Sequence, residues 1–330
     1  MSGWREEYRS VVSMGVIFIV TVALGMLLSI PFMGMGYQAF EDPNDLWIPV
    51  MYVILILVFT GVVLFLAKKK KLGIFQGLIL LACGMTLMYV IIIPYSLILD
   101  TVLPPYYIYT HLEALSYLLL FMSIGTAAVL TYILYKYPEW YVVDSIGVVV
   151  GAGIIAILGI SVGILPLFIL MIALAIYDAI SVYKTKHMID LADAVTEKRL
   201  PVVMVVPKTK NYSFRKQGSL KKSLKTKGKR EAMFMGLGDI VFPGSLVVSA
   251  MTFLGSAVVI SGHTYWEPTL ASFGVALSTL IGALVGYSVL MRFVLKGRPQ
   301  AGLPLLNSGA ILGFAVGYFL IFQDFGFGIW

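Results

Sequence analysis

Long apolar runs that carry almost no charge occupy most of this sequence. A run of roughly 18 or more apolar residues crosses a bilayer as a helix, because the backbone must satisfy its own hydrogen bonds in lipid. Hydrophobic residues make up 59% of the chain and charged residues 12%, whereas soluble domains have about 45–50% and about 25%. The sequence therefore predicts an all-α polytopic membrane protein of about nine transmembrane helices, over residues 11–33, 47–67, 73–99, 112–135, 142–160, 163–183, 232–260, 268–295 and 301–322.

The positive charges indicate how these helices are oriented. If the amino terminus is cytoplasmic, all 24 Lys and Arg residues fall in cytoplasmic segments, while the outer segments carry acids such as Glu41, Asp100 and Glu267. Lys and Arg are enriched on the cytoplasmic side of spans, so we predict a cytoplasmic amino terminus and an outer carboxyl terminus. The first run is too long for the core of a signal peptide, and we expect it to be retained. The net charge of +7 is then explained by cytoplasmic segments that contact the lipid bilayer, and no nucleic-acid partner is expected.

One long loop divides the predicted helices into two groups. Residues 1–184 form a predicted six-span bundle, 185–231 a cytoplasmic basic loop, and 232–330 a three-span bundle. Within the loop, residues 186–199 have apolar positions at helical spacing, which predicts a short amphipathic helix, and the β-branched run 202–206 predicts a short strand. Residues 208–230 contain ten Lys or Arg and no acid, which is typical of a solvated segment near anionic headgroups.

Two carboxylates lie inside the predicted spans, where ionisable side chains are costly and are therefore candidates for function. Asp178 is in the sixth run and Asp239 in the seventh, each among apolar residues. At about 1.5 Å per helical residue, they lie about 9 and about 12 Å from the inner surface. Because consecutive spans are antiparallel, the two carboxylates are expected at nearly one depth, where they can share a proton. Asp100 and Asp144 are nearer the ends of their runs and are expected at the membrane interface.

Two carboxylates that share a proton can hydrolyse a peptide bond, and no metal or cofactor is expected. The ionised carboxylate accepts a proton from water while its protonated partner polarises the scissile carbonyl and later protonates the amine. The glycines before Asp239 fit this use, because Gly236 and Gly238 allow a substrate backbone to approach closely.

These residues resemble the motifs of the presenilin and signal peptide peptidase family of GxGD intramembrane aspartyl proteases. Tyr177 followed by Asp178 is similar to the YD motif of the family, and Gly236, Leu237, Gly238 and Asp239 are similar to its GxGD motif. The third motif, Pro-Ala-Leu, is matched by Pro304, Leu305 and Leu306. The departure is Leu305, which replaces alanine and adds bulk where this motif is expected to approach the catalytic site.

The resemblance implies an intramembrane aspartic endopeptidase in which Asp178 and Asp239 are catalytic and the other motif residues position the substrate. The substrates implied are single-span membrane proteins or signal-peptide-like helices, and a homo-oligomer is left open. The short termini and outer loops resemble a compact microbial, archaeal-type member. Because a helical substrate must unwind before it is cut, the predicted strand 202–206 is a candidate to pair with it by β-augmentation, with 302–306 as the opposite edge.

Two other functions compete with the protease hypothesis. An ion- or proton-coupled membrane transporter could use the same pair of aspartates. It would predict inverted repeats and broken helices in corresponding halves, which the sequence does not contain. A membrane scaffold without chemistry would leave both aspartates without a purpose.

Overall fold

The structure, a computed structural model, describes residues 2–69, 72–185, 203–209, 212–214, 232–260, 263–296 and 300–324. Over these ranges, seven helices are long and apolar enough to cross a membrane, and two further apolar helices are shorter. The predicted all-α polytopic class is therefore confirmed. The helices are α1 Ser2–Gly34, α2 Trp47–Lys68, α3 Leu72–Val102, α4 Pro105–Thr110, α5 Leu112–Lys136, α6 Trp140–Ser161, α7 Ile164–Ile180, α8 Gly238–Phe253, α9 Leu270–Leu295 and α10 Leu303–Phe322.

Four short strands form two antiparallel pairs. Strand β1 (Val203–Pro207) pairs with β2 (Ala232–Gly236), and β3 (Ser256–Ile260) pairs with β4 (His263–Glu267). We name the β1–β2 pair the inner sheet, because it lies at the end of the bundle that is predicted to be cytoplasmic. The predicted amphipathic helix 186–199 and most of the basic segment 208–230 lie outside the described residues.

The seventh predicted span is wrong at both ends. Residues 232–260 were expected to form one helix, but only Gly238–Phe253 is helical, and strands β2 and β3 flank it. Short apolar strands and helices cannot be separated by hydrophobicity alone, and here each flanking segment has a pairing partner elsewhere in the chain. Helix α8 has 16 residues, or about 24 Å at about 1.5 Å per residue, which is less than the roughly 30 Å of a bilayer core.

Helix α8 can be shorter than a bilayer core because other helices surround it. It contacts α1, α6, α7, α9 and α10, and most of its side chains are buried. Close packing requires small residues at the contacts: a Cβ atom built on Gly244 of α8 would lie 2.8 Å from Cδ1 of Ile155 on α6. Asp239, the second residue of α8, is thus held inside the bundle.

Helix α10 packs tightly against α9 through rows of glycine. A Cβ atom on Gly282 would collide with the carbonyl oxygen of Gly309, and one on Gly286 would collide with the carbonyl oxygen of Leu305. Small residues four apart allow helix backbones to approach in this way. This contact fixes the start of α10 and the loop before it.

The turn between α6 and α7 lies at Val162 and Gly163. The N–H of Gly163 donates to the carbonyl oxygen of Pro43, 2.8 Å away, in the loop between α1 and α2. At the opposite end of the bundle, Lys208 forms an ion pair with Glu7 of α1, with 3.5 Å between Nζ and Oε1. The two loops therefore lie at opposite ends of α1.

Candidate active site

Asp178 lies near the end of α7, where the helix changes its geometry. The side chain is 4% exposed, and the next turn, Ser181–Thr185, is a π-helix. The Ser181 hydroxyl donates to the carbonyl oxygen of Asp178 at 3.0 Å. Single π-helical turns are frequent at functional sites, and here the turn directly follows a buried carboxylate.

Asp239 lies at the start of α8, directly after strand β2. Its carboxylate accepts a hydrogen bond from the backbone N–H of Gly236 and interacts electrostatically with Asp178. The first turn of a helix favours negative charge, because its free N–H groups form the positive end of the helix dipole. The sequence Gly236 to Asp239 is therefore a strand-to-helix turn that presents a carboxylate to α7.

The loop before α10 contacts both carboxylates. The N–H of Leu303 donates to Oδ2 of Asp178 at 3.1 Å, and the N–H of Gly302 also donates to Asp178. A Cβ atom on Gly302 would lie 2.9 and 3.0 Å from the two carboxylate oxygens of Asp239. Real Cβ atoms are almost never this close, so a side chain at position 302 would displace either the loop or the Asp239 carboxylate.

The other predicted site residues take different places around this centre. Gly236 ends β2 and Gly238 begins α8, so Gly236 is not a helix residue as the sequence suggested. A Cβ atom on Gly238 would meet Phe242 at an ordinary 3.8 Å. Leu237 is buried against Gly151 of α6, and Tyr177 is half-buried beside Asp178.

The three residues of the Pro304 motif belong to the first turn of α10 and point to different neighbours. Pro304 lines an apolar groove between α7 and α10, together with Met171, Ala175 and Asn307. The backbone carbonyl of Leu305 lies against Gly286 of α9. Leu306 is fully buried.

Four residues near the site were missed or misjudged from the sequence. Leu303 acts through its backbone N–H, which leaves no residue-type signal, and Gly302 acts through its N–H and through its lack of a Cβ atom. Tyr183 accepts a hydrogen bond through its hydroxyl from the N–H of Ala301 at 3.4 Å, which adds a contact between the π-helical turn after α7 and the loop. Asp144 was expected at the membrane interface, but it is 7% exposed, because the inner sheet covers it. Asp100, in contrast, is exposed near the end of α3.

The whole chain is similar to known intramembrane proteases. A family model described as signal-peptide peptidase, presenilin aspartyl protease matches residues 14–323. A presenilin family intramembrane aspartate protease solved in space group C222 is 31% identical, with a TM-score of 0.62, and the match covers 94% of this chain and 99% of that one. A presenilin family intramembrane aspartate protease solved in space group P2 is 31% identical, with a TM-score of 0.60, and the match covers 93% of this chain and 97% of that one. A search of curated proteins gave no match.

These similarities extend over nearly all of the sequence and both groups of helices. They support the protease hypothesis and do not support the transporter alternative. The protein is a multi-pass membrane hydrolase that acts on transmembrane helical substrates in a lipid bilayer. The chain belongs to the signal peptide peptidase and presenilin family of intramembrane aspartyl proteases.

Proposed function

We propose that Asp178 and Asp239 form the catalytic dyad of this protease. The observation that carries the proposal is the loop at Gly302 and Leu303, which contacts both carboxylates at once. The two side chains come from different helices and interact electrostatically. Two adjacent carboxylates in an apolar bundle cost less free energy when they hold one proton between them than when both are ionised.

In the proposed reaction, the ionised carboxylate takes a proton from a water molecule while the water oxygen attacks the peptide carbonyl carbon. The protonated carboxyl group donates its proton to the carbonyl oxygen, so a neutral tetrahedral gem-diol forms and the dyad again carries one proton. Proton transfer to the amide nitrogen and cleavage of the C–N bond then give a carboxylic acid and an amine. The N–H groups of Gly302 and Leu303 hold Asp178 in place during both steps. Replacing either aspartate with asparagine and measuring cleavage of a single-span peptide in detergent tests the proposal.

We further propose that the substrate is a single-span or signal-peptide-like helix that unwinds beside the inner sheet. β1, which covers the strand predicted to pair with the substrate, is not available for this pairing. Both of its edges contact other parts of the protein. β2 lies on one side, and on the other Asp144 accepts from the N–H of Val205 and Ser10 donates to the carbonyl oxygen of Pro207. The segment 302–306 offers no opposite edge, because α10 begins at Leu303.

The outer edge of β2 is therefore the strand edge that we propose for the substrate. Val205 is directly opposite Phe234 in the sheet, and the Val205 N–H points away from β2. In an antiparallel pair, the backbone N–H and C=O groups of Phe234 then also point away from the partner strand. An extended substrate on this edge would gain partners for its freed N–H and C=O groups next to Asp239.

Proline at position 234 tests this edge. Phe234→Pro removes the outward N–H without removing a bond between β1 and β2, whereas Phe234→Ala removes only the ring. We expect Phe234→Pro to cleave a helical substrate about 5- to 10-fold more slowly than Phe234→Ala, as for the loss of about one hydrogen bond. Equal rates in the two variants, measured on the same peptide, would show that the substrate does not use this edge.

We also propose that the amino terminus and the inner sheet are cytoplasmic and that the carboxyl terminus is outside. The ion pair between Glu7 and Lys208 places the start of α1 and the loop between α7 and α8 at one end of the bundle. All 24 Lys and Arg residues fall at that end if the spans alternate as predicted, and positive residues stay in the cytoplasm.

Cysteine labelling in intact cells tests this orientation. With Cys83 replaced by alanine, a cysteine at Asp324 should react with a membrane-impermeant maleimide. One at Lys69 should react only after the cells are broken, because this position is on the proposed cytoplasmic side. Both positions are exposed at the surface of the protein, so each can react once the reagent reaches it. The reverse pattern would invert the proposed orientation.

A further inference from the structure

A third carboxylate, Asp144, is buried in the bundle, and the proposed reaction has no use for it. It lies on the first turns of α6, and its Oδ1 atom accepts a hydrogen bond from the Val205 N–H of β1 at 2.8 Å. The side chain is buried against the inner sheet. Burying a carboxyl group is costly unless a partner satisfies it, so this contact must serve the fold or the active site.

The partner of Asp144 is connected to the dyad by a short series of contacts. β1 pairs with β2 along its whole length. β2 ends at Gly236, whose N–H donates to the carboxylate of Asp239. A shift of the inner sheet therefore moves the group that orients Asp239.

The start of α6 holds the inner sheet a second time. Glu139, which precedes α6, accepts hydrogen bonds from the Ser213 hydroxyl at 2.9 Å and from the Phe214 N–H at 3.2 Å. The Phe214 ring packs against Phe234 of β2, with 6.4 Å between the ring centroids. The sheet is thus attached to α6 through both strands.

We infer that Asp144 is a positioning residue for the reaction: by binding the Val205 N–H it holds the inner sheet against α6 and so sets the position of Asp239. This inference rests on the proposed function of the dyad. It assigns to Asp144 an effect on the rate of the chemical step, and not only on the stability of the fold.

Two substitutions at Asp144 separate these roles. Asp144→Asn keeps an oxygen that accepts from Val205, whereas Asp144→Ala removes the acceptor. We expect kcat of Asp144→Asn for a single-span peptide to stay within about 3-fold of the unsubstituted protein. In Asp144→Ala kcat should fall about 10-fold or more, because small displacements of a catalytic group are costly. KM should change by less than about 3-fold in both.

A matched control removes another buried hydrogen bond, at the turn that follows α6 and far from the sheet. The Ser249 hydroxyl of α8 donates to the carbonyl oxygen of Val162 at 3.0 Å. Ser249→Ala should lower the thermal unfolding temperature in detergent and leave kcat unchanged. If Asp144→Ala lowered kcat only as much as Ser249→Ala at equal folded fraction, Asp144 would be merely structural and the inference would be wrong.

If Asp144→Ala does not fold, the inference can be tested by substituting Val205, whose N–H is the donor of the same hydrogen bond. Val205→Pro removes the N–H while leaving the β1–β2 bonds intact, and Val205→Ala is its control. Val205→Pro should lower kcat about 10-fold relative to Val205→Ala, and equal kcat values in these two variants would overturn the inference. Where all variants fold, Asp144→Ala combined with Val205→Pro should be no slower than the slower single variant, because both break one bond; additive losses would count against it.

The same cleavage measurements distinguish failure of the role of Asp144 from failure of the proposed dyad. If the unsubstituted protein cleaves and Asp178→Asn or Asp239→Asn abolishes cleavage, while Asp144→Ala keeps full kcat, only the role of Asp144 fails. If Asp178→Asn and Asp239→Asn both cleave, the proposed function fails first, and the inference fails with it.

Discussion

Asp178→Asn and Asp239→Asn should each lower cleavage of a single-span peptide in detergent by at least about 10³-fold, to background. An amide keeps the size and shape of the side chain but can neither accept the proton from water nor return one, and general acid–base catalysis contributes about 10²- to 10⁴-fold. The two losses should not add in the double variant, because the pair acts as a unit. Each variant should keep the helical content and unfolding temperature of the unsubstituted protein.

Asp100 provides the matched control for these substitutions. It is an exposed carboxylate at the far end of α3, so Asp100→Asn removes the same group without touching the site. Its rate should equal that of the unsubstituted protein. Substantial cleavage by both Asp178→Asn and Asp239→Asn would exclude the aspartyl mechanism.

Substitution of Gly302 should be the next most damaging change. A Cβ atom at this position lies 2.9 Å from one carboxylate oxygen of Asp239, so Gly302→Ala must move either the loop or the carboxylate. Displacement of about 1 Å at a reacting group costs about 10²-fold in rate. We expect kcat to fall about 10-fold in Gly302→Ala and about 100-fold in Gly302→Val.

Two other glycines control for the general effect of adding a methyl group. Gly77 of α3 has open space around its Cβ position, and Gly238 has only Phe242 at 3.8 Å. Gly77→Ala should be fully active. Gly238→Ala reports on how closely the substrate backbone approaches Asp239, because the protein itself has room for the methyl group. If Gly302→Ala were as active as Gly77→Ala, the close contact between the loop and Asp239 would have no part in catalysis.

The sequence led to the two aspartates because ionisable residues are rare inside apolar runs, and that rule needs no tertiary information. It also led to the membrane class and to the protease family, both of which the structure and the comparisons confirm. The roles of Asp178, Asp239 and the motif residues stay predictions until they are measured.

What could not be predicted depends on contacts between distant segments. Residues 232–236 continue the apolar run of α8, and only their pairing with β1 makes them a strand. This also invalidates the depth estimated for Asp239, which assumed a helical rise from position 231. Asp144 was misjudged for the same reason, since nothing in its neighbourhood along the chain indicates that a sheet covers it.

The contribution of the loop at Gly302 could not be predicted from the sequence for a different reason. Its contribution is made by two backbone N–H groups and by the absence of a Cβ atom, and a glycine before a proline-containing helix start is common. Only the position of α10 against α9, fixed by the contacts of Gly282 with Gly309 and of Gly286 with Leu305, brings this loop to both carboxylates.

An experimental structure of the protein with a transition-state hydroxyl inhibitor bound would show directly whether Asp178 and Asp239 form the catalytic dyad. The inhibitor hydroxyl stands in for the attacking water after it has added to the carbonyl. We expect this oxygen to lie between Asp178 and Asp239, about 2.5–3.0 Å from an oxygen of each carboxylate. An inhibitor hydroxyl bound away from either carboxylate, in a protein that the same compound inhibits, would contradict the proposed dyad.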